Sequence, residues 1–178
     1  MIWEAGWALD DRTMSILLSE ISDETRFVFE AGSGKSTVEI AKRLKPHGGR
    51  LIALEEEERF ASKTRTALEA EGLDASCVHV SSLGPTVAGI WYRKLPKIEP
   101  GSIDLVLIDG PRSDGLDERS ASLFVLEDSL APNCTIVVDD TFRPADRKAV
   151  EIWKRMGWIV EDVATERGCS ILRRRAAQ

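Results

Sequence analysis

The sequence lacks any apolar run long enough to cross a membrane. A transmembrane helix needs about 20 consecutive apolar residues, and no stretch of this sequence approaches that length. The N-terminal stretch MIWEAGWALDD is acidic, whereas a signal peptide begins with basic residues. We therefore expect a cytoplasmic protein that does not associate with membranes.

Acidic residues outnumber basic residues, and cysteines are scarce. The formal net charge is −6, which argues against nucleic acid or an acidic membrane as a partner. The three cysteines, Cys77, Cys134 and Cys169, are odd in number and widely spaced in strand-like runs. This pattern favours buried thiols over disulfides or a cysteine-bound metal cluster.

What the sequence does contain is an alternation of strand-like and helix-like runs. Its 178 residues, 43% of them hydrophobic, suffice for one buried core, so we expect a single domain spanning residues 1–178. Apolar runs such as RFVFEAG, RLIALE, SIDLVLIDG and TIVVDD alternate with helical patterns, and WIVEDVAT and CSILRRR are close enough to pair. The prediction is an α/β fold: a doubly wound, mostly parallel, Rossmann-like sheet with helices on both faces and an antiparallel edge at the C-terminus.

Carboxylates stand where four of the predicted parallel strands end. The acids are Glu30, Glu55, Asp109 and the pair Asp139–Asp140. In open α/β sheets, ligands bind beyond the carboxyl ends of the strands. We therefore expect the functional site on this acidic rim.

The glycine turn EAGSGKST follows the first of these strands. Its GKST ending resembles a phosphate-binding loop, but five positions before Gly34 stands the apolar Phe29, so the loop is too short to wrap a triphosphate. Glu55 lies 23 positions after Gly32, at the end of the second strand, where an acid can accept both ribose hydroxyls. A ribose-binding acid beside a short turn indicates a nucleoside ligand without a pyrophosphate, and a P-loop-like ATPase is a minority alternative.

These motifs resemble the class I S-adenosylmethionine-dependent methyltransferases over nearly the whole chain. FVFEAGSGKST is similar to the family's first motif and LIALEEE to its second-strand motif. IDGPR and TIVVDDTFR resemble a small subgroup similar to catechol O-methyltransferases. The resemblance implies methyl transfer from S-adenosylmethionine to a small-molecule acceptor, with O-methylation as the expected reaction.

The resemblance also implies site residues. The cofactor-binding residues would be Glu30, Gly32, Gly34, Glu55, Asp109 and Ser82, the last near the adenine. In cation-dependent members, the residues matching Asp109, Asp139 and Asp140 bind Mg²⁺ or another divalent cation. Arg112 stands where a lysine base is often found, so the expected catalytic residues are Asp109, Arg112 and Asp139.

Three questions stay open at this level. The acidic cluster needs a positive partner, which is either a divalent cation or an arginine such as Arg112 or Arg143, unless the aspartates serve only as helix caps and turn residues. The binding site for the methyl acceptor is formed by the N-terminal segment 1–24 and by loops near Trp91 and Arg112, or it is completed by another subunit of a homo-oligomer. Within the N-terminal segment, Trp3 and Trp7 either form a lid over this site or pack on the sheet. The alternative to an enzyme is a non-catalytic, nucleoside-binding Rossmann-like module.

Overall fold

The computed structural model describes residues 8–112 and 118–174. Trp3 and Trp7, and with them the start of the N-terminal segment, lie outside the described residues. The strands are β1 (Phe27–Ala31), β2 (Arg50–Glu55), β3 (Val78–Val80), β4 (Leu83–Thr86), β5 (Gly89–Tyr92), β6 (Ile103–Ile108), β7 (Leu130–Asp139), β8 (Ile159–Val163) and β9 (Cys169–Arg173). The helices are α1 (Asp11–Ser19), α2 (Lys35–Leu44), α3 (Glu58–Ala70), α4 (Ala121–Leu126) and α5 (Pro144–Arg155).

Seven of the strands form one sheet in the order β3-β2-β1-β6-β7-β9-β8. Within this sheet, the first five strands in spatial order, β3, β2, β1, β6 and β7, are parallel. Strand β9 runs antiparallel to both β7 and β8. The predicted fold class is therefore confirmed, including the antiparallel C-terminal edge. The strand order reverses between β1 and β6, and such a switch point opens a crevice at the carboxyl ends of the strands.

The central strands are largely buried and mostly apolar because helices cover both faces of the sheet. Every residue of β1 is buried, and Phe29 pairs with Ile52 of β2 and Val106 of β6. One core contains residues of α1, α2 and α3, and a second contains residues of α4, α5 and the β5 strand. Among the described helices, none has the length and apolar character that a membrane crossing requires.

Local capping explains where α1 begins. The side chain of Asp10 accepts a hydrogen bond from the Thr13 backbone N–H at 2.8 Å, so Asp10 rather than Asp11 is the N-cap. The apolar face then buries Met14 and Leu17. This helix packs against α2, the helix that follows the glycine turn.

Two segments differ from the sequence-based expectation. The Pro-punctuated connection before Trp91 forms an antiparallel hairpin, β4–β5, in which Pro85 pairs with Ile90. Trp91 is fully buried in the core rather than on a loop. The sequence pattern also predicts one helix over LDERSASLFVLEDSL, but the described part of this segment, from residue 118 onward, contains only α4, flanked by short 3₁₀ turns at Glu118–Ser120 and Glu127–Ser129.

Trp153 provides a test of the core beneath α5. Its side chain is fully buried, and its Nε1 donates a hydrogen bond to the Ser120 carbonyl oxygen at 3.2 Å. Trp153→Ala should lower the free energy of unfolding by about 3–5 kcal/mol, because it creates a large cavity. Lys154→Ala, on the exposed side of the same helix, should change it by less than about 0.5 kcal/mol in the same denaturant titration. Equal effects of the two substitutions would contradict this packing.

Candidate functional site

The carboxyl ends of β2, β1, β6 and β7 lie side by side and border a cavity of about 260 Å³. At the β2 end, the described lining residues are Glu55, Glu56, Glu57 and Phe60. At the β1 and β6 ends they are Gly32, Ser33, Tyr92, Asp109, Gly110 and Pro111. Beyond them lie Arg112, Arg119, Asp140, Arg143 and Arg167. The cavity therefore follows the acidic rim that the sequence predicted.

The glycine turn between β1 and α2 presents no free phosphate cradle. The Gly32 N–H donates to the Leu54 carbonyl oxygen at 2.9 Å, and the Gly34 N–H donates to Thr37 Oγ1 at 2.8 Å. The Ser33 N–H donates to Glu55 Oε2 at 3.2 Å. A P-loop binds phosphate through such N–H groups, and here protein acceptors already satisfy them.

Lys35 points in a direction that also disagrees with a P-loop. Its Nζ lies 3.7 Å from the Asp11 carboxylate of α1, and Lys35 does not line the cavity. A P-loop lysine contacts the β- and γ-phosphates instead. The GKST ending is thus the start of an ordinary helix.

Gly32 and Gly110 are in direct backbone contact. Gly32 has a φ of +97°, and a Cβ at this position would lie 3.1 Å from the Gly110 backbone nitrogen. A Cβ on Gly110 would lie 2.8 Å from the Gly32 Cα. Only glycine allows this φ without strain and this approach without a clash. The contact brings the turns after β1 and β6 together at the middle of the cavity.

Gly34 has no comparable constraint. Its φ of 172° is extended, a Cβ there would meet no atom within 4 Å, and it does not line the cavity. Its assignment as a cofactor-binding residue stays a prediction that this geometry does not support.

Glu55 lies at the β2 end of the cavity with only 7% of its surface exposed. Its Oε1 accepts hydrogen bonds from the backbone N–H groups of Glu56 at 2.8 Å and Glu57 at 3.1 Å. Its Oε2 accepts from the Ser33 hydroxyl at 3.0 Å, and that hydroxyl has a second partner in Thr64 Oγ1 at 3.3 Å. Together with the bond from the Ser33 N–H, four hydrogen bonds occupy the acceptor sites of the carboxylate, so a ribose hydroxyl that donates to Glu55 would have to displace one of them. Burial raises the pKa of Glu55 although the Glu57 and Ser33 hydrogen bonds lower it.

Glu30 and Ser82 do not line the cavity among the described residues. Glu30 is fully buried beneath the turn, where it accepts a hydrogen bond from Ser36 Oγ at 2.5 Å. Burial raises the pKa of Glu30 to about 8. Its hydrogen bond with Ser36 connects β1 with the start of α2. Ser82 is exposed, and its carbonyl oxygen accepts from the Arg93 N–H at the base of the β4–β5 hairpin. Both cofactor contacts stay predictions, and the geometry does not favour them.

Tyr92 and Phe60 are cavity residues that sequence reasoning did not assign to the site. The Gly32 N–H also lies 3.2 Å from Tyr92 Oη, and burial raises the pKa of Tyr92 well above its usual value. Phe60 lines the β2 end, although the helical pattern predicted it only as an inward residue of α3. The sequence places Trp91 and Tyr92 before a loop expected to reach the rim, but it does not indicate the β4–β5 hairpin that positions Tyr92.

The three predicted metal-ligating aspartates are brought together. One carboxylate oxygen from each of Asp109, Asp139 and Asp140 lies within 4.8 Å of the others. Burial and the nearby Asp139 carboxylate raise the pKa of Asp109 to about 7, although Arg119 lowers it. Asp109 lines the cavity together with Arg112. Asp139 is fully buried and does not line the cavity.

Arginines already pair with the other two carboxylates. Arg167 Nη2 lies 2.8 Å from Asp139 Oδ2, and its Nε lies 3.0 Å from Asp140 Oδ1. Arg143 Nη2 lies 2.8 Å from Asp140 Oδ2. Asp139 Oδ1 accepts no hydrogen bond from the described residues, but a divalent cation held at about 2.0–2.6 Å by Asp139 and Asp140 would lie beside the guanidiniums that already pair with them. The residues present therefore do not fit a resident metal ion. Arg143, which the sequence suggested as a partner of the acids, lies in the cluster. Arg167 also pairs with them, but nothing in the sequence near Arg167 indicates this.

Comparison with known proteins identifies the family. A family model described as a methyltransferase domain matches residues 29–141, which is more than half of the chain. The chain belongs to this methyltransferase family. The matched region runs from β1 to the residue after the Asp139–Asp140 pair, so it contains the whole acidic rim.

Solved methyltransferase structures share the fold. Cofactor-bound Rv0187 from MTB is 22% identical with a TM-score of 0.69, and the match covers 98% of this chain and 84% of that one. A precorrin-6y C5,15-methyltransferase from Geobacter metallireducens is 20% identical with a TM-score of 0.69, covering 97% and 92%. An O-methyltransferase from Bacillus cereus in complex with SAH is 16% identical with a TM-score of 0.62, covering 95% and 84%. No curated protein sequence matches closely enough to count as a relative.

The two glycines of the turn give a matched test of the methyltransferase site. Gly32→Val should abolish binding of S-adenosylhomocysteine in calorimetry, because a side chain at φ +97° is strained and displaces the Gly110 turn. The valine side chain would therefore disturb the Gly110 backbone as well as the space that the ligand needs. Gly34→Ala should bind normally, since its Cβ meets nothing. Loss of binding in Gly34→Ala alone would show that the turn has been assigned wrongly.

Proposed function

We propose that this methyltransferase domain, comprising the whole chain, transfers the methyl group of S-adenosylmethionine to an oxygen atom of a small molecule. The observation that carries the proposal is the junction of Glu55 and the glycine turn. Glu55 Oε2 accepts from the Ser33 N–H and hydroxyl, so a carboxylate occupies the side of the turn where a phosphate would otherwise bind. A buried acid of this kind suits ribose hydroxyls and repels phosphate.

The order of the strands supports the placement of the cofactor. The ends of β2 and β6 flank β1 and are about two strand spacings apart, roughly 10 Å. A nucleoside with its ribose at Glu55 would therefore extend its 5′ substituent across Gly32 toward Asp109. Phe60 at the β2 end offers an aromatic surface for the base.

The reaction needs positioning above all. The acceptor oxygen forms a bond to the methyl carbon as the carbon–sulfur bond breaks, which leaves a neutral thioether and releases the acceptor proton. The three reacting atoms must lie in line and away from water. Asp109 lines the cavity and has a pKa raised to about 7, which suits a proton acceptor near neutral pH, so we assign it to receive the proton.

The remaining catalytic assignments follow from position. Arg112 lines the cavity beside Asp109, where its guanidinium can orient an acceptor oxygen. Asp139 is fully buried and forms an ion pair with Arg167. Asp139 would therefore influence catalysis through the position of Arg167 and not by direct contact with the acceptor. The O-methyltransferase of Bacillus cereus, which is similar in fold, supports oxygen as the methylated atom.

Binding and turnover measurements test the proposal. S-adenosylhomocysteine should bind in calorimetry and ATP should not, and a screen of phenols, sugars and carboxylates with labelled S-adenosylmethionine should reveal methyl transfer to one class. Binding of ATP would support the P-loop-like ATPase instead. Cofactor binding without turnover on any acceptor would support the non-catalytic nucleoside-binding module.

Glu55 gives the most direct test of the ribose contact. Glu55→Ala should weaken S-adenosylhomocysteine binding by about 1–3 kcal/mol, because a ribose hydroxyl would lose its carboxylate acceptor. Glu58→Ala is the matched control, since the Glu58 side chain is 68% exposed and pairs with Arg65, away from the cavity. Thermal melts of both variants separate loss of binding from loss of folding. Unchanged affinity in folded Glu55→Ala would remove the ribose assignment.

A further inference from the structure

The arginines around Asp139 and Asp140 have a meaning beyond local ion pairing. We infer that Arg119 and Arg167 occupy the place of a divalent cation at the carboxyl ends of β6 and β7, so that this enzyme works without a metal. The inference concerns the acidic cluster itself. Only its turnover measurement rests on the proposed function.

Arg167 bridges the two carboxylates at the end of β7. It lies between β8 and β9, and its guanidinium contacts Asp139 Oδ2 at 2.8 Å and Asp140 Oδ1 at 3.0 Å. Its Nη2 also donates to the Ala8 carbonyl oxygen at 2.8 Å. Burial alone would lower the pKa of Arg167, but the Asp139 and Asp140 carboxylates raise it. The positive charge that links these two acids is therefore permanent.

Arg119 holds the cluster from the protein interior. Its side chain is only 4% exposed and lies 3.4 Å from Asp140 and 3.3 Å from Asp146. The guanidinium also donates to the backbone carbonyl oxygens of Pro111, Asp139 and Asp109. These contacts join the turn after β6 to the end of β7, and a cation bound by Asp109, Asp139 and Asp140 would join the same two segments.

Charge balance argues against adding a metal to this arrangement. The buried or half-buried acids of the cluster are Asp109, Asp139, Asp140 and Asp146, and the guanidiniums paired with them are Arg119, Arg143 and Arg167. Arg112 also lines the cavity with Asp109, so positive charges already offset the carboxylates of the cluster. A divalent cation would add two positive charges within a few ångströms of these guanidiniums in a medium of low dielectric. Removing one arginine would leave its carboxylate partners without that compensation, which a divalent cation can supply.

The experiment uses the full chain, treated with chelator and exchanged into metal-free buffer. Thermal unfolding is followed with and without millimolar MnCl₂ or MgCl₂, and bound Mn²⁺ is counted by electron paramagnetic resonance. The wild-type midpoint should not change with either cation, and Mn²⁺ should remain free. Arg167→Gln should unfold at a lower temperature, and Mn²⁺ should raise its midpoint by several degrees, because the uncompensated carboxylates can now bind the ion.

Matched variants make the result specific. Arg147→Gln removes an arginine that pairs with Asp162 at the surface, and it should show no response to Mn²⁺. Asp139→Asn added to Arg167→Gln should abolish the response. If Arg167→Gln does not fold, Arg143→Gln provides the same measurement, because the Arg143 side chain is 47% exposed and its loss is better tolerated.

Several outcomes would overturn the inference. One is an increase in the wild-type midpoint with Mn²⁺ or Mg²⁺. Another is the absence of any Mn²⁺ response in both folded arginine variants. A third is wild-type turnover that stops with chelator and returns with Mg²⁺. The thermal and Mn²⁺ measurements require neither cofactor nor acceptor, so loss of S-adenosylhomocysteine binding would defeat the proposed function while leaving this inference intact.

Discussion

The backbone contact between Gly32 and Gly110 determines how the cavity is built. Because neither residue has a side chain, the turns after β1 and β6 lie against each other, and the Tyr92 hydroxyl fits beside both. The contact joins the end of the rim that contains Glu55 to the end that contains Asp109. A single ligand can therefore reach both acids, which is what transfer between a bound cofactor and an acceptor requires.

The site buries its acids in two physically different ways. Glu30, with a pKa raised to about 8 by burial, is mostly protonated at neutral pH and hydrogen-bonded to Ser36. Asp139 and Asp140 instead pair with Arg167. A buried acid that is neutral or paired with a guanidinium avoids the cost of an isolated buried charge. The rim is consequently less negative than its count of carboxylates implies.

Much of the fold was predictable because its signals are local. Buried parallel strands appear as continuous apolar runs, and the acids at their ends must meet at one edge, which placed Glu55, Asp109 and Asp140 together before any coordinates. The β4–β5 hairpin was missed because Gly84 and Pro85 are typical of loops, and Pro85 is tolerated only in such a short edge strand. Arg167 was missed for another reason: its partners lie 27 and 28 residues earlier, and only the return of β9 alongside β7 brings it to them.

The position of Arg167 has a consequence for the order in which the protein matures. The acids of the rim precede this arginine in the chain and are therefore synthesised before it. A chain that has paired β1, β2, β6 and β7 but not yet β9 still lacks the guanidinium that bridges Asp139 and Asp140, and β7 still has an open edge. Ion pairing of the two acids with Arg167 therefore depends on the hairpin of β8 and β9 docking onto β7.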